Sequence, residues 1–525
     1  MAATEEIGVS GGAEETRRGR GESRRRARAP GILERQAPWR LVHNPFRPFE
    51  IISADELEAI HLASLSILEE VGISVQSERA RNLLARHGAE VEPGSQIVRF
   101  DRDFVLGAIA DAPSLIEMKA RNPARDIRMG EGWLCHTPVS GPPNCSGLGG
   151  DRRQGNFEDY VKFLKLAQVF NVIHLIVGYS VEPIDIPVPV RHLVAGEAML
   201  TMTDKVPRIY CNTPQRARDI LEMVRLSQGL SEDEFHGAPR SIGVINTNSP
   251  LQLDAAMVEG IIELAEANQV SVITPFTLAG AMAPVTLAGA LTQQNAEALA
   301  GIVVSQLARR GAPVVYGAFT TNVNMKSGAP AFGTPEYAKA ALISGQLARR
   351  YRLPFRSSNI NTSNAPDAQA AYEAMMATWS AVMGGANLLH QSAGWLEGGL
   401  TASFEKFVID AEILQMFSAF LSPVRVDQTE LAQEVIGAVG HGGHFFAQPH
   451  TLERYETAFY QPLLSDWRGF EAWKEAGAQD ATMRATRIAA EAIDAWQEPT
   501  LDPACREALS AFIAKRIEEG GAPVN

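Results

Sequence analysis

The chain has 525 residues, 45% of them hydrophobic and 21% charged, and a formal net charge of -13 at neutral pH. That length suits two or three average domains or one α/β barrel with extensions, and the composition is that of a globular protein with a large core. The negative balance argues against a nucleic-acid binder, whose surface must attract phosphates, and no run approaches the roughly 20 apolar residues of a membrane span.

The start, "MAATEEIGVSGGAEETRRGRGESRRRARAP", carries seven arginines between Arg17 and Arg28 and no apolar core of the kind a signal peptide needs. Residues 1–45 are expected to form a solvated, disordered arm. Residues 46–130 read as a mostly helical region with short strands. In "SADELEAIHLASLSILEEVG", Ser53 and Glu56 make a capping box, Leu57, Ile60, Ile67, Leu68 and Val71 supply an apolar stripe, and Gly72 ends the helix.

From Trp133 short β-rich runs alternate with stretches long enough for helices. The runs are "WLCHTPV" at 133, "IHLIVGYS" at 173, "RIYCN" at 208, "SIGVINTN" at 241, "VSVITPF" at 270, "PVVYGAF" at 313, "LPFRSSN" at 353 and "NLLHQSAG" at 387. Helices are predicted between them, for example over 157–169, opened by Asn156, and over 335–351. Eight strand-helix units over residues 131–425 predict an α/β fold of the (β/α)8 TIM barrel kind; an open doubly wound sheet is the competitor, weakened because no GxGxxG follows the first strand. Residues 426–525 are expected to be a helical extension capping the barrel. The four cysteines Cys135, Cys145, Cys211 and Cys505 form no CxxC pair, which fits a reducing, cytoplasmic setting.

In a barrel the chemistry sits at the C-terminal strand ends. These carry Tyr179 and Glu182, Tyr210 and Asn212, Asn246 and Asn248, Phe276, Tyr316 with Phe319 and Asn322, Ser358 with Asn359 and Asn361, then His390, Gln391 and Trp395, a set dominated by aromatics and neutral amides. Hydrolysis, enolisation or Schiff-base chemistry would want an evident acid, base or nucleophile there. Aromatic faces and amides suit a quaternary ammonium, which ring quadrupoles attract by about 0.5 to 2 kcal/mol per contact.

Longer stretches carry a resemblance: "TDKVPRIY" at 203, "FGTPEYAKAALISGQLARRYRLPFRSS" at 332, "PDAQAAYEAMM" at 366, "GWLEGGLTASFEKFVIDAEIL" at 394 and "GHGGHFFAQPHTLERYETAFYQPLLSD" at 440. With them the chain resembles the trimethylamine methyltransferase family, in its non-pyrrolysine branch that includes glycine betaine methyltransferases. The resemblance implies a barrel enzyme that moves a methyl group from an amine to the Co(I) of a corrinoid on a separate carrier protein. Trimethylamine enzymes of the family bear pyrrolysine near the segment matching "RSSNINTSN". Here residues 356–364 are ordinary, so the resemblance implies a betaine-like quaternary amine.

No histidine follows an aspartate at the spacing of the corrinoid-carrier motif DxHxxG. The chain is therefore expected to bind no cofactor of its own, with methylcobalamin or another corrinoid arriving on the partner, and to act as a homo-oligomer. His390 is the candidate catalytic or carboxylate-holding residue. Tyr179, Asn246, Phe276, Tyr316, Phe319, Asn361, Trp395 and His444 are the candidate substrate contacts. His441, His444 and His450 in "HGGHFFAQPH" have spacing zinc would accept, but the glycine pair disfavours a helix there and no metal is expected. The competing readings are a trimethylamine-type or other methylamine methyltransferase, a non-catalytic quaternary-amine-binding homologue, and a metal-dependent hydrolase.

Overall fold

The computed structural model describes residues 31–523. The arginine run lies outside them, but residues 31–45 depart from the expected arm. Ile32 is buried, its N–H donates to Glu491, Gln36 donates to the Val169 carbonyl, and Val42–His43 pairs with a strand of the main sheet. The reason is composition: Ile32, Trp39, Leu41 and Val42 offer apolar surface that the arginine run lacks. In the next region the helix α1 (Ala54–Ser66) begins at the expected Ser53/Glu56 capping box, and Gly72, at φ 78, ends the helical turn that follows it.

Eight parallel strands form the body of an eleven-stranded sheet: β1 (Trp133–His136), β2 (Leu175–Val177), β3 (Val206–Ile209), β4 (Ile242–Thr247), β5 (Val270–Ala279), β6 (Val314–Gly317), β7 (Phe355–Ser358) and β8 (Leu388–His390). Each of the eight sequence runs overlaps one of them, and six contain theirs whole; β3 begins two residues before its run and β5 extends three residues past its run. A helix follows each in turn: α2 (Phe157–Val169), α3 (Val188–Met202), α4 (Pro214–Ser227), α5 (Ala255–Glu266), α6 (Leu287–Ala308), α7 (Pro335–Arg350), α8 (Ala368–Met383) and α9 (Phe404–Phe420). Side chains of Asn156, Thr213, Asp254 and Thr334 cap four of these, and proline fills the first turn of α4 and α7.

The spatial order runs from β2 through β8 and then to β1, so strand order follows chain order without the reversal of a doubly wound sheet. No ladder joins β1 to β2. That seam is crossed by the His174 N–H donating to the His136 carbonyl at 2.9 Å. On one face of the sheet Cys135, Leu175, Val206, Ile242, Val270, Val272, Val315 and Leu388 converge with a hairpin of Ile116–Met118 and Ile127–Met129, which closes the N-terminal end of the strands.

Beyond α9, helix α10 (Ala481–Ala495) packs on α9 and α2, and helix α11 (Pro503–Glu518) on α3 and α4. They lean on the side of the helical layer. The Thr482 hydroxyl reaches the Pro366 carbonyl in the loop that follows β7. Among the described residues, every hydrogen bond of residues 425–458 is to the same stretch. Among the described residues no helix is long and apolar enough to cross a membrane.

The β1–β2 seam is built on two buried histidines. The His136 N–H donates to His174 Nδ1 at 3.1 Å, so His174 carries its proton on Nε2 and gives it to the Arg40 carbonyl at 2.9 Å. His136 Nδ1 faces the Val172 carbonyl. Burial pushes the His136 imidazole down to about 4 and that of His174 well below its usual range. On unfolding both regain ordinary basicity, so the unfolded chain takes up the extra protons on acidification. Stability is therefore complete above the unfolded value and is lost as pH falls toward the folded one. His136 alone accounts for a loss of about 2 kcal/mol between pH 7 and 5. Urea unfolding at the two pH values should show this loss, and His136→Gln should flatten the dependence; an unchanged slope in that variant would contradict the assignment.

Candidate active site

Because successive side chains on a strand point to opposite faces, register decides what the site contains. Arg208 pairs with Ile242, Asn246 with Thr274, Gly317 with Arg356, Arg356 with Leu388 and Ser358 with His390, and all of these share the face of the inner cluster. At the C-terminal strand ends they open into a cavity of about 230 Å3. It is lined by Ser140, Gly141, Arg208, Tyr210, Cys211, Asn212, Val244, Asn246, Met257, Thr274, Phe319, Arg356, His390 and Gln391. A larger groove of about 730 Å3 lies at the surface between residues 31–34 and α10, away from every strand end.

Two guanidinium groups dominate the cavity. Arg356 is almost wholly buried. It donates through Nη1 to the Ala318 carbonyl at 2.9 Å and through Nη2 to His390 Nδ1 at 3.2 Å, with Gln391 Oε1 at 3.5 Å, and its charge lies 5.0 Å from the Phe319 ring centre. Arg208 donates through Nη1 to Ser140 Oγ at 3.0 Å. Neither makes an ion pair with a described carboxylate. Burial, then the neighbouring Arg208 charge, pushes Arg356 down to about 10, and burial lowers Arg208 as well.

An arginine can only donate, so His390 Nδ1 is an acceptor and its proton sits on Nε2. Burial, followed by the charges of Arg356 and Arg208, holds this imidazole neutral, well below its usual range. The His390 Nε2, Arg356 Nε and Arg208 Nε atoms are buried donors with no protein acceptor among the described residues. Gln391, at φ 55, turns the chain so that its amide meets Arg356 on one side and the Ser140 carbonyl on the other.

Of the residues expected from the sequence, Asn246, Phe319 and His390 line the cavity. Phe276, Phe332 and Trp395 form one aromatic cluster with Phe319, at centroid distances of 5.1, 5.6 and 6.4 Å. Tyr179 stands behind the lining Tyr210 at 4.4 Å. Asn361 is fully buried, does not line the cavity, and its side-chain amide has no partner among the described residues.

Tyr316 is a correction. It pairs with Ile273 and Phe355, whose side chains face the helices, and its hydroxyl donates to Asn295 on α6. Its neighbour Val315 takes the inner face, so the pleat removes Tyr316 from the site. His444 is the second correction: it is exposed, its ring tilted against Phe446 at a centroid distance of 6.1 Å, within a stretch whose hydrogen bonds among the described residues are all local. No group of three or more His, Cys, Asp or Glu fit to hold a metal occurs among the described residues.

Sequence reasoning missed Arg208 and Arg356, while Tyr210, named among the strand-end aromatics, was not placed among the candidate substrate contacts. The signal was present: an arginine inside each of two strand runs is costly to bury and marks a polar purpose. Reading only the residues past each strand end passed over them.

The family model described as trimethylamine methyltransferase (MTTB) matches residues 17–521. The chain is similar to the glycine betaine methyltransferase of Desulfitobacterium hafniense strain Y51, at 36% identity over 90% of this chain and 98% of that protein. It is also similar to the trimethylamine methyltransferase MttB of Desulfitobacterium hafniense strain DSM 10664 / DCB-2, at 30% identity over 89% and 93%. Among solved structures, the Methanosarcina barkeri monomethylamine methyltransferase aligns with a TM-score of 0.50 and 10% identity, covering 86% of this chain and 90% of that one; the likeness is one of α/β fold.

The loops that carry Asn359 and Gly394 are held from below by α9. Asp410, fully buried, accepts from Lys406, from Asn359 Nδ2 at 3.1 Å and from the Gly394 N–H at 2.8 Å. Asp410→Ala leaves the Lys406 ammonium buried without a counter-charge and should cost roughly 3 to 5 kcal/mol in denaturant unfolding. Lys406→Met combined with Asp410→Leu should recover most of that loss. A single variant with less than about 1 kcal/mol of destabilisation would remove this pair from its anchoring role.

Proposed function

The chain belongs to the trimethylamine methyltransferase family, and from that membership we infer that this methyltransferase moves a methyl group from a quaternary amine of the glycine betaine type to the Co(I) of a corrinoid on a separate carrier protein. The carrying observation is the chemistry of the cavity lining, which is aromatic, amide and cationic and holds no carboxylate or lysine. Burial pushes the Cys211 thiol up to about 11, so it stays protonated and is a poor methyl acceptor. His390 has its only basic nitrogen engaged by Arg356. The methyl acceptor must therefore be brought from outside.

The reaction suits such a lining. The N–CH3 bond breaks with both electrons staying on nitrogen, the tertiary amine leaves neutral, and the carbon bonds to the electron pair of the acceptor. No proton moves. What this chain contributes is position: Phe319, backed by Phe276, Phe332 and Trp395, and Tyr210, backed by Tyr179, offer ring faces to the methyl groups.

The cyclic strand order, with β8 beside β1 and a hydrogen bond across the β1–β2 seam, supports reading residues 131–425 as a (β/α)8 barrel with its active site at the strand C-termini. The exposed apolar side chains of residues 424–470, including Val424, Phe446 and Phe459 at 87%, 81% and 77% exposure, support coverage by a further chain and so the homo-oligomer expected from the sequence. Four free cysteines fit a cytoplasmic location.

Anaerobic mixing of the protein with glycine betaine and cob(I)alamin, followed by its visible spectrum, should show conversion to methylcobalamin. Failure with every quaternary amine tried, under conditions in which the protein is folded, would overturn the reading. Phe319→Leu keeps apolar volume but removes the ring quadrupole and should weaken substrate binding by about 0.5 to 2 kcal/mol.

A further inference from the structure

We propose that Arg208 and Arg356, assisted by the Nε2–H of His390, form a carboxylate receptor at the inner end of the cavity, so that the substrate must be a zwitterion carrying both a quaternary ammonium and a carboxylate. The proposal rests on the reading above only for the methyl-bearing end; the anionic end follows from this chain's own charges.

Two guanidinium groups share one cavity, each charge disfavours the other, and neither meets an acidic side chain among the described residues. A cation held in this way is stable only if something compensates it. The protein compensates in part, with neutral acceptors: the Ala318 carbonyl, His390 Nδ1, Gln391 Oε1 and Ser140 Oγ. Three donors are left over and buried, Arg208 Nε, Arg356 Nε and His390 Nε2. A planar carboxylate has two oxygens with about four acceptor sites and matches guanidinium forks in geometry and charge.

Depth fixes orientation. Arg208 and Arg356 pair with Ile242 and Leu388, which belong to the inner apolar cluster, whereas Asn246 and Phe319 lie farther along their strands. The carboxylate therefore sits inward and the trimethylammonium points to the mouth, where the acceptor can approach the methyl carbon from outside. The same two charges repel a substrate with a positive end and no negative one. Choline and tetramethylammonium are thus rejected by the arginines, whatever the aromatic faces offer them.

Isothermal titration of the full chain tests this without cobalt or carrier. The probes are glycine betaine and its homologues with two and three methylenes between nitrogen and carboxylate, set against choline, tetramethylammonium and the methyl ester of glycine betaine, which keeps shape but loses the negative charge. At least one carboxylate betaine should bind, and choline, tetramethylammonium and the ester should bind at least roughly tenfold more weakly. Arg208→Gln and Arg356→Gln, checked for folding by circular dichroism, should each weaken the bound betaine by roughly 10- to 100-fold. Choline or the ester binding as tightly as the betaine, no carboxylate betaine binding at all, or folded glutamine variants with unchanged affinity would each overturn the receptor. Binding with the expected selectivity but no methylation of cob(I)alamin would sink the proposed reaction and leave the receptor standing.

Discussion

A guanidinium group buried with no counter-ion among the described residues is the constraint around which this site is arranged. Removing such a charge from water costs several kcal/mol, and the usual remedy is a carboxylate. Arg356 has instead a carbonyl, an imidazole nitrogen, an amide oxygen and a phenyl face. Each of these partners is fixed by something else. Ala318 lies where the chain leaves β6, His390 ends β8, Gln391 is held in a left-handed turn, and Phe319 is wedged into the aromatic cluster. The arginine thus dictates the tautomer of His390, and with it the direction in which that ring can donate.

The strands make this arrangement possible because a parallel sheet with a helix after every strand spends its inner face on packing at one end and frees it at the other. Cys135, Leu175, Val206, Ile242, Val270, Val315 and Leu388 fill the N-terminal half against the hairpin of Ile116–Met118 and Ile127–Met129. Two residues farther along, the same face carries Arg208, Val244, Val272, Gly317 and His390. Gly317 shows how tight the passage between the halves is: a Cβ there would lie 2.2 Å from Thr274 Oγ1. The apolar half sets the depth of the cavity floor, and the strand period sets which side chains rise above it.

The histidine-rich segment at 441–450 stands apart from all of this. Its spacing attracts attention in a linear reading, yet His441 and His444 are solvent-facing and the local turns are made by glycines at φ 66 and 75. What distinguishes the surrounding stretch is exposed apolar surface.

Much was legible without the fold. Hydrophobic patterning located all eight strands, the Ser53/Glu56 box and the α2 cap, because these are local: each depends on residues a few positions apart. Family resemblance and the aromatic, amide-rich strand ends pointed to methyl transfer from an amine. Tertiary structure alone decided which of those side chains meet. Tyr316 and Val315 are adjacent in sequence, and only the register of β6 against β5 and β7 sends one to the helices and the other inward. Arg208 and Arg356 are 148 positions apart, by subtraction of their numbers, and no local pattern says that they share a cavity. Their meeting, and the absence of an acid between them, is a long-range property of strand order, which the chain encodes only through the packing of the whole sheet.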